Sequence, residues 1–271
     1  MHTASKIQFC VTRNEMKQPT LIQIWKTRNE LEQSVAGRIY EAIRRTLKEK
    51  TQCCIVLSGG QTPRNVYRRM GLDETKKFID WNRVQVFLSD ERAVPPDDPQ
   101  SNYGMVQREW ISHIPIPRTH VHRIHGELNP KSAARKYEQE IMKVFGHDPV
   151  VFDLVLLGIG EDGHTASLFP GTDATLEKEA LVTSTFVRQF KGWRVTMTVP
   201  VLNAAREIIF LASGSKKASI IQHILGKEAP DIELPASLIQ PPEGTLCWMI
   251  DEEAGTELNE HSSIFIQRLK G

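Results

Sequence analysis

The sequence predicts an α/β domain built on a doubly wound, mainly parallel sheet with helices on both faces. Three observations predict it. Short apolar runs such as "IVL" and "LVLL" are apolar on both sides, as strands covered on both faces must be. Helical periodicities lie between those runs, and strands alternating with helices build parallel sheets. Glycine-rich and charged clusters follow the ends of the runs, where such sheets bind their ligands.

Leu31, Val35, Ile39, Ile43 and Leu47 recur every four residues, which predicts a helix, and "TRNE" (27–30) before them fits a capping box. The strand runs are "CCIVLS" (53–58), "VQVFLSD" (84–90), "FDLVLLGIG" (152–160), "RVTMTVP" (194–200), "EIIFLASG" (207–214) and "LCWMID" (246–251). A second helix is predicted over 130–146, with Pro130 early and Gly146 as its stop, and a third over 214–226.

At 271 residues the chain has room for one large α/β domain or two small ones. No repeat, low-complexity tract or Ser/Gly linker divides it, so one continuous domain over residues 1–271 is expected. With 34 basic against 33 acidic residues the formal net charge is +1, which argues against a nucleic-acid partner. A few cations lining a pocket for a phosphorylated metabolite would be invisible in that sum. The opening "MHTASKIQFC" has no apolar core of signal-peptide length, and no window approaches a membrane span, so a cytoplasmic chain is expected. Cys10, Cys53, Cys54 and Cys247 form no metal-type CxxC pattern and read as small buried hydrophobes in a reduced protein.

Four clusters carry chemistry. In "LSGGQTPRNVY" (57–67) a strand ends, Gly59 and Gly60 follow, and Thr62-Pro63 opens a helix. Glycines let a ligand approach the backbone, the new helix directs free amides outward, and Ser58 and Thr62 add hydroxyls, which together make an anion cradle. A plain βα turn that uses glycine for its φ angles fits the same residues.

The second cluster is Asp90, Glu91 and Arg92, at the end of a strand and ahead of a long Pro-rich loop. The carboxylates suit sugar hydroxyls, and Arg92 suits a phosphate or a developing oxyanion. A solvated charge run ending the strand is the bland alternative. The third is "GIGEDGHTASLFPG" (158–171), where His164 follows glycines and two acids. Imidazole titrates near neutrality and is the natural base for activating water, with Asp162 or Glu161 to hold the ring. The fourth is Arg194 together with Lys217. Each lies near a strand terminus, Arg offering a bidentate fork and Lys a point charge; Lys216 competes with Lys217 for the inward place.

With these residues in place, the chain resembles the 6-phosphogluconolactonases of the glucosamine-6-phosphate isomerase/deaminase superfamily. The resemblance rests on "LSGGQTP", "SDERAVPPDDPQSNYGM", "FDLVLLGIGEDGHTASLFPG", "RVTMTVPVLNAAREIIFLASGSKKA" and "LPASLIQPPEGTLCWMIDEEA", in the family's order, over roughly residues 21 to 254. It implies a Rossmann-like fold and hydrolysis of 6-phospho-D-glucono-1,5-lactone in the oxidative pentose phosphate pathway. It implies His164 as the general base, with the phosphate held by the glycine loop and by Arg194 and Lys217. It also implies no metal and no organic cofactor.

Deaminases of the superfamily carry a catalytic glutamate five residues after this histidine and an aromatic after the Asp-Glu pair. Here those positions are Phe169 and Arg92, which favours the lactonase over the deaminase, while the retained His164 argues against a non-catalytic sugar-phosphate sensor. Gln61 stands where the family often has Ser or Arg. The tail 255–271 runs past the family pattern and carries no functional reading.

Overall fold

The structure, a computed structural model, describes residues 20–226, 233–258 and 264–269. Among the described residues eight strands form one parallel sheet, in the order β11-β1-β10-β9-β6-β2-β3-β5. The chain enters at β1 (Thr20–Trp25) and crosses through α1 (Arg28–Glu49) to β2 (Cys53–Leu57). From there it steps outward through α2 (Gln61–Leu72) to β3 (Val84–Leu88). The two-residue edge strand β5 (Val121–His122) follows after β4 (Asp90–Arg92) and α3 (Asn102–Glu109).

Helix α4 (Pro130–Phe145) then returns the chain to β6 (Leu154–Gly158), on the other side of β2. After β7 (Val182–Val187), β8 (Gly192–Met197) and the short α5 (Val199–Asn203), the sheet grows the opposite way. It does so through β9 (Glu207–Ala212), α6 (Ala218–Leu225) and β10 (Thr245–Asp251). The winding therefore reverses between β2 and β6, and reversal points leave a crevice outside the carboxyl ends of the strands.

Local sequence explains the elements. Thr27 caps α1: its hydroxyl accepts the Glu30 amide at 3.2 Å, and the Glu30 carboxylate accepts the Thr27 amide at 2.9 Å. Leu31, Val35, Ile39 and Ile43 form its fully buried stripe. Strands β2, β3 and β9 are buried at every position, as the continuous apolar runs require when both faces of a sheet are covered. Gly146 ends α4 with a φ of 63°, a left-handed angle at which a side chain is strained. Cys53, Cys54 and Cys247 are buried, and desolvation pushes the Cys54 and Cys247 thiols up to about 12. Cys10 and the opening decapeptide lie outside the described residues.

Two expectations are corrected. The run 84–90 is not one strand of the main sheet, because the chain leaves it at Ser89. Its amide donates to Leu57 O of the main sheet, whereas its carbonyl accepts the Met197 amide, each at 2.8 Å. The run 194–200 is not a strand of the parallel sheet either. Residues 192–197 are the centre of a separate antiparallel sheet, β4-β8-β7. Burial along β8 is not continuous as in β2, β3 and β9: Trp193 is 42% exposed at one end while Val195, Thr196 and Met197 are buried at the other, so the strand runs from the surface into the protein and pairs with β4 and β7. Strands β1, β5, β7 and β11 (Ile264–Leu269) were not foreseen; β11, within the tail, pairs in parallel with β1 at the sheet edge.

Removing the core contact of α1 should cost more than removing its cap. Ile39→Ala is expected to lower unfolding free energy by about 2–5 kcal/mol, and Thr27→Ala by about 1 kcal/mol, read from urea midpoints. A larger effect for Thr27→Ala would contradict this account of the helix.

Candidate functional site

A cavity of about 310 Å³ opens where the winding reverses, lined by residues that follow β2, β3, β6 and β9. Ser58, Gly59, Gly60, Thr62, Asp90, Arg92, His164 and Lys217 line it; Asp162, Glu91 and Arg194 do not. Four loops distant in sequence meet there because parallel strands deliver their carboxyl ends to one side.

The β2 side is built from backbone. Gly60 holds a φ of 107° as the N-cap of α2 and has no side chain to cap it, and Gln61 and Thr62 of the first turn line the cavity. Tyr67, fully buried, anchors the turn: its hydroxyl accepts the Ser58 amide at 3.1 Å and donates to the Ser58 carbonyl at 2.8 Å.

On the β6 side, His164 is clamped from three directions. Its Nδ1 lies 2.5 Å from Asp162 Oδ1, which also accepts the His164 amide at 3.2 Å. The ring stacks on Phe169 with centroids 4.1 Å apart. It also packs against Gly160, where a Cβ would fall 2.0 Å from Nδ1. Desolvation raises the Asp162 carboxyl, but the hydrogen bond and charge of His164 outweigh it, so its pKa lies below the usual carboxylate range. An ionised carboxylate can only accept. Nδ1 therefore carries a proton, and Nε2 is the ring nitrogen left to exchange one with a ligand. Ala166, also in the lining, holds a φ of 48°, a strained angle that the surrounding packing sustains.

The cations arrive from two further elements. Asp251 binds the Ser213 hydroxyl and, at 2.9 Å, the Gly214 amide, which fixes the turn leading into Ser215–Lys217. Lys217 lines the cavity half-buried while Lys216 stays exposed. Burial lowers the Lys217 pKa, and Glu161 and Asp162 oppose that shift. Arg92 lies opposite Arg194 in the β4–β8 register. Burial first, and then repulsion from Arg92, lower the Arg194 pKa; Asp90 and Glu91 oppose it. Among the described residues, Arg92, Arg194 and Lys217 form no salt bridge. Their charge remains available to an anion, although only two of the three reach the lining.

The neighbouring carboxylates have structural partners. Asp90, at the cavity wall, accepts from the Ser89 hydroxyl at 3.1 Å and the Ser167 hydroxyl at 2.7 Å. Glu91, 1% exposed, accepts the amides of Arg92, Asn102 and Tyr103 and the Ser101 hydroxyl, so it staples the loop that follows β4. Burial raises its pKa, and those amides hold it back. Arg92 braces the same loop through Gln100 O at 2.6 Å.

Sequence reasoning missed Asn102, which also lines the cavity. Its only signal was the Ser-Asn pair where a long loop turns into a helix, with Ser101 as N-cap.

An open parallel sheet with its cleft at the switch point defines the class, an α/β protein that takes its ligand at the strand ends. The chain belongs to the glucosamine-6-phosphate isomerase/6-phosphogluconolactonase family, whose pattern residues 26–248 match. It is 38% identical to a 6-phosphogluconolactonase of Synechocystis sp. over 222 residues, covering 80% of this chain and 89% of that one. A human 6-phosphogluconolactonase is 41% identical over 181 residues, 65% of this chain and 70% of its own. The crystal structure of 6-phosphogluconolactonase from Thermotoga maritima superposes with a TM-score of 0.74 at 34% identity, covering 86% of this chain and all of that one. No helix among the described residues is long and apolar enough to cross a membrane.

Two outcomes check the clamp. Gly160→Ala should displace the imidazole while the protein stays folded, seen as a shift of the His164 ring resonances; an unmoved ring would contradict the packing. Asp162 has a depressed folded pKa, so its contribution to stability is present above the unfolded carboxylate pKa and lost as pH falls through the lower folded value. Asp162→Asn should therefore narrow the stability difference between neutral and acid pH.

Proposed function

We propose that this chain hydrolyses 6-phospho-D-glucono-1,5-lactone to 6-phospho-D-gluconate. The observation that carries the reading is the meeting, in one cavity, of an imidazole oriented by Asp162 and a half-buried lysine that forms no salt bridge among the described residues. The names of the relatives support the same reaction.

The phosphate is held by the amides at the start of α2, the Thr62 hydroxyl and Lys217, with Arg194 completing the hold from the adjoining strand. That anchoring supplies binding energy remote from the reacting carbon. His164 Nε2 takes a proton from water as the water oxygen bonds to the lactone carbonyl carbon. Arg92 and nearby loop amides face the oxyanion that forms. When the tetrahedral species collapses, the bond from that carbon to the ring oxygen breaks, and the proton on Nε2 passes to the departing oxygen. Asp162 keeps the ring in the required tautomer and stabilises the imidazolium between the two transfers. Phe169 brings no titratable group to the position beside His164, which favours lactone hydrolysis over the proton shuttling that release of ammonia from an amino sugar needs. No cofactor enters these steps.

The test supplies fresh phosphogluconolactone and follows 6-phosphogluconate with its dehydrogenase, above the uncatalysed background. His164→Ala should lose roughly 10²- to 10⁴-fold in kcat with KM little changed. Arg194→Ala should mainly raise KM, and the unphosphorylated lactone should be a poor substrate. Full turnover by His164→Ala, or release of ammonia from glucosamine 6-phosphate, would overturn the reading.

A further inference from the structure

Four buried side-chain polar atoms lack a hydrogen-bond partner among the described residues: Ser58 Oγ, Asn102 Oδ1, His120 Nδ1 and Trp248 Nε1. Two of the four, Ser58 Oγ and Asn102 Oδ1, belong to residues that line the cavity. Ser58 is 3% exposed and Asn102 1%. A buried polar group without a partner is costly, so two of them around one cavity mark a place where a ligand, or the water it displaces, completes the bonding.

The orientation of Asn102 follows from chemistry. Its carboxamide nitrogen donates to the Asp90 carbonyl at 3.0 Å. Turning the amide over would set oxygen against oxygen, so Oδ1 is the atom left free, and it can only accept. It lies against the Cα of Gly59, where a Cβ would come within 1.9 Å of it. Glycine at 59 is therefore what lets Asn102 reach the end of β2. The backbone of Ser58 is already held by Tyr67, which leaves its hydroxyl as the one uncommitted polar group of that residue.

We propose that Ser58 Oγ and Asn102 Oδ1 form a hydroxyl-binding subsite that grips the polyol part of the substrate, while the phosphate lies elsewhere in the cavity. The proposal rests on the reading of the ligand as a phosphorylated sugar lactone. A phosphate ester is almost entirely acceptor at neutral pH and would set lone pair against lone pair at Asn102 Oδ1. A sugar hydroxyl donates to Oδ1 and either donates to or accepts from Ser58 Oγ. The pair thus divides the crevice: cations and helix amides take the anion, and a neutral acceptor with a hydroxyl takes the carbohydrate. It moves Ser58 from the anion cradle to the sugar side. An apolar or deoxygenated ester would leave both atoms unpartnered, which makes the pair a source of discrimination.

The test titrates two probes, 6-phosphogluconate and inorganic phosphate, into the wild type and three variants. Ser58→Ala and Asn102→Ala should each weaken 6-phosphogluconate about ten-fold and leave inorganic phosphate within about two-fold. Lys217→Ala should weaken both. In steady state, the first two variants should raise KM for the lactone. Equal weakening of both probes by Ser58→Ala would return that hydroxyl to the phosphate site and overturn the proposal. So would a folded variant with unchanged affinity for 6-phosphogluconate. Asn102 also braces Asp90, so thermal unfolding is followed in parallel; should Asn102→Ala not fold, Ser58→Ala decides. A wild type unable to hydrolyse the lactone would remove the proposed activity, and the titrations would still judge the subsite.

Discussion

Parallel strand direction is the constraint on which everything else depends. Strands that all point one way cannot be joined by tight turns, so every connection must cross the sheet, and every strand end falls on the same side. In this chain the order of winding reverses between β2 and β6, and the crossings diverge there. The cavity is the space left by that divergence. Residues as far apart in sequence as Ser58, Asn102, His164 and Lys217 share it without any of them having local reasons to meet.

Close packing turns that space into a geometry. The imidazole of His164 occupies the volume that a Cβ on Gly160 would fill, with Phe169 stacked on the ring and Asp162 holding Nδ1. Each contact removes a rotational alternative, so the ring is oriented by exclusion as much as by attraction. Preorganisation of this kind is established on folding, so little reordering remains when a ligand arrives. The carboxylates and cations divide the remaining work. Asp90 accepts from two serine hydroxyls, and Glu91 accepts from the amides and hydroxyl that hold the loop after β4 in place. Among the described residues Lys217, Arg92 and Arg194 form no salt bridge; Lys217 and Arg92 line the cavity, and Arg194 lies opposite Arg92.

Much of this was legible in the sequence. The fourfold spacing of Leu31 to Ile43 and the Thr27–Glu30 box describe α1 nearly end to end. Gly59, Gly60 and Pro63 describe the turn into α2. The same reading failed where the signal was not local. The run at 194–197 has a strand's composition, yet composition does not state which sheet a strand joins; pairing with β4 and β7 decides that. Strand β5 is two residues long and has no periodicity to detect.

The sequence by itself determined α1, the strands β2, β3, β6, β9 and β10, the βα turns and the family motifs, because propensity, capping and turn chemistry act between residues a few positions apart. Only the tertiary structure decided that Lys217 rather than Lys216 faces inward, that Glu91 staples a loop, and that Arg92 lies beside Arg194. It also decided that Asn102 comes to rest against Gly59. Those outcomes depend on strand order and on which side chain fills a given volume. Both are set when distant segments exclude each other from the same space, and no short stretch of sequence encodes that.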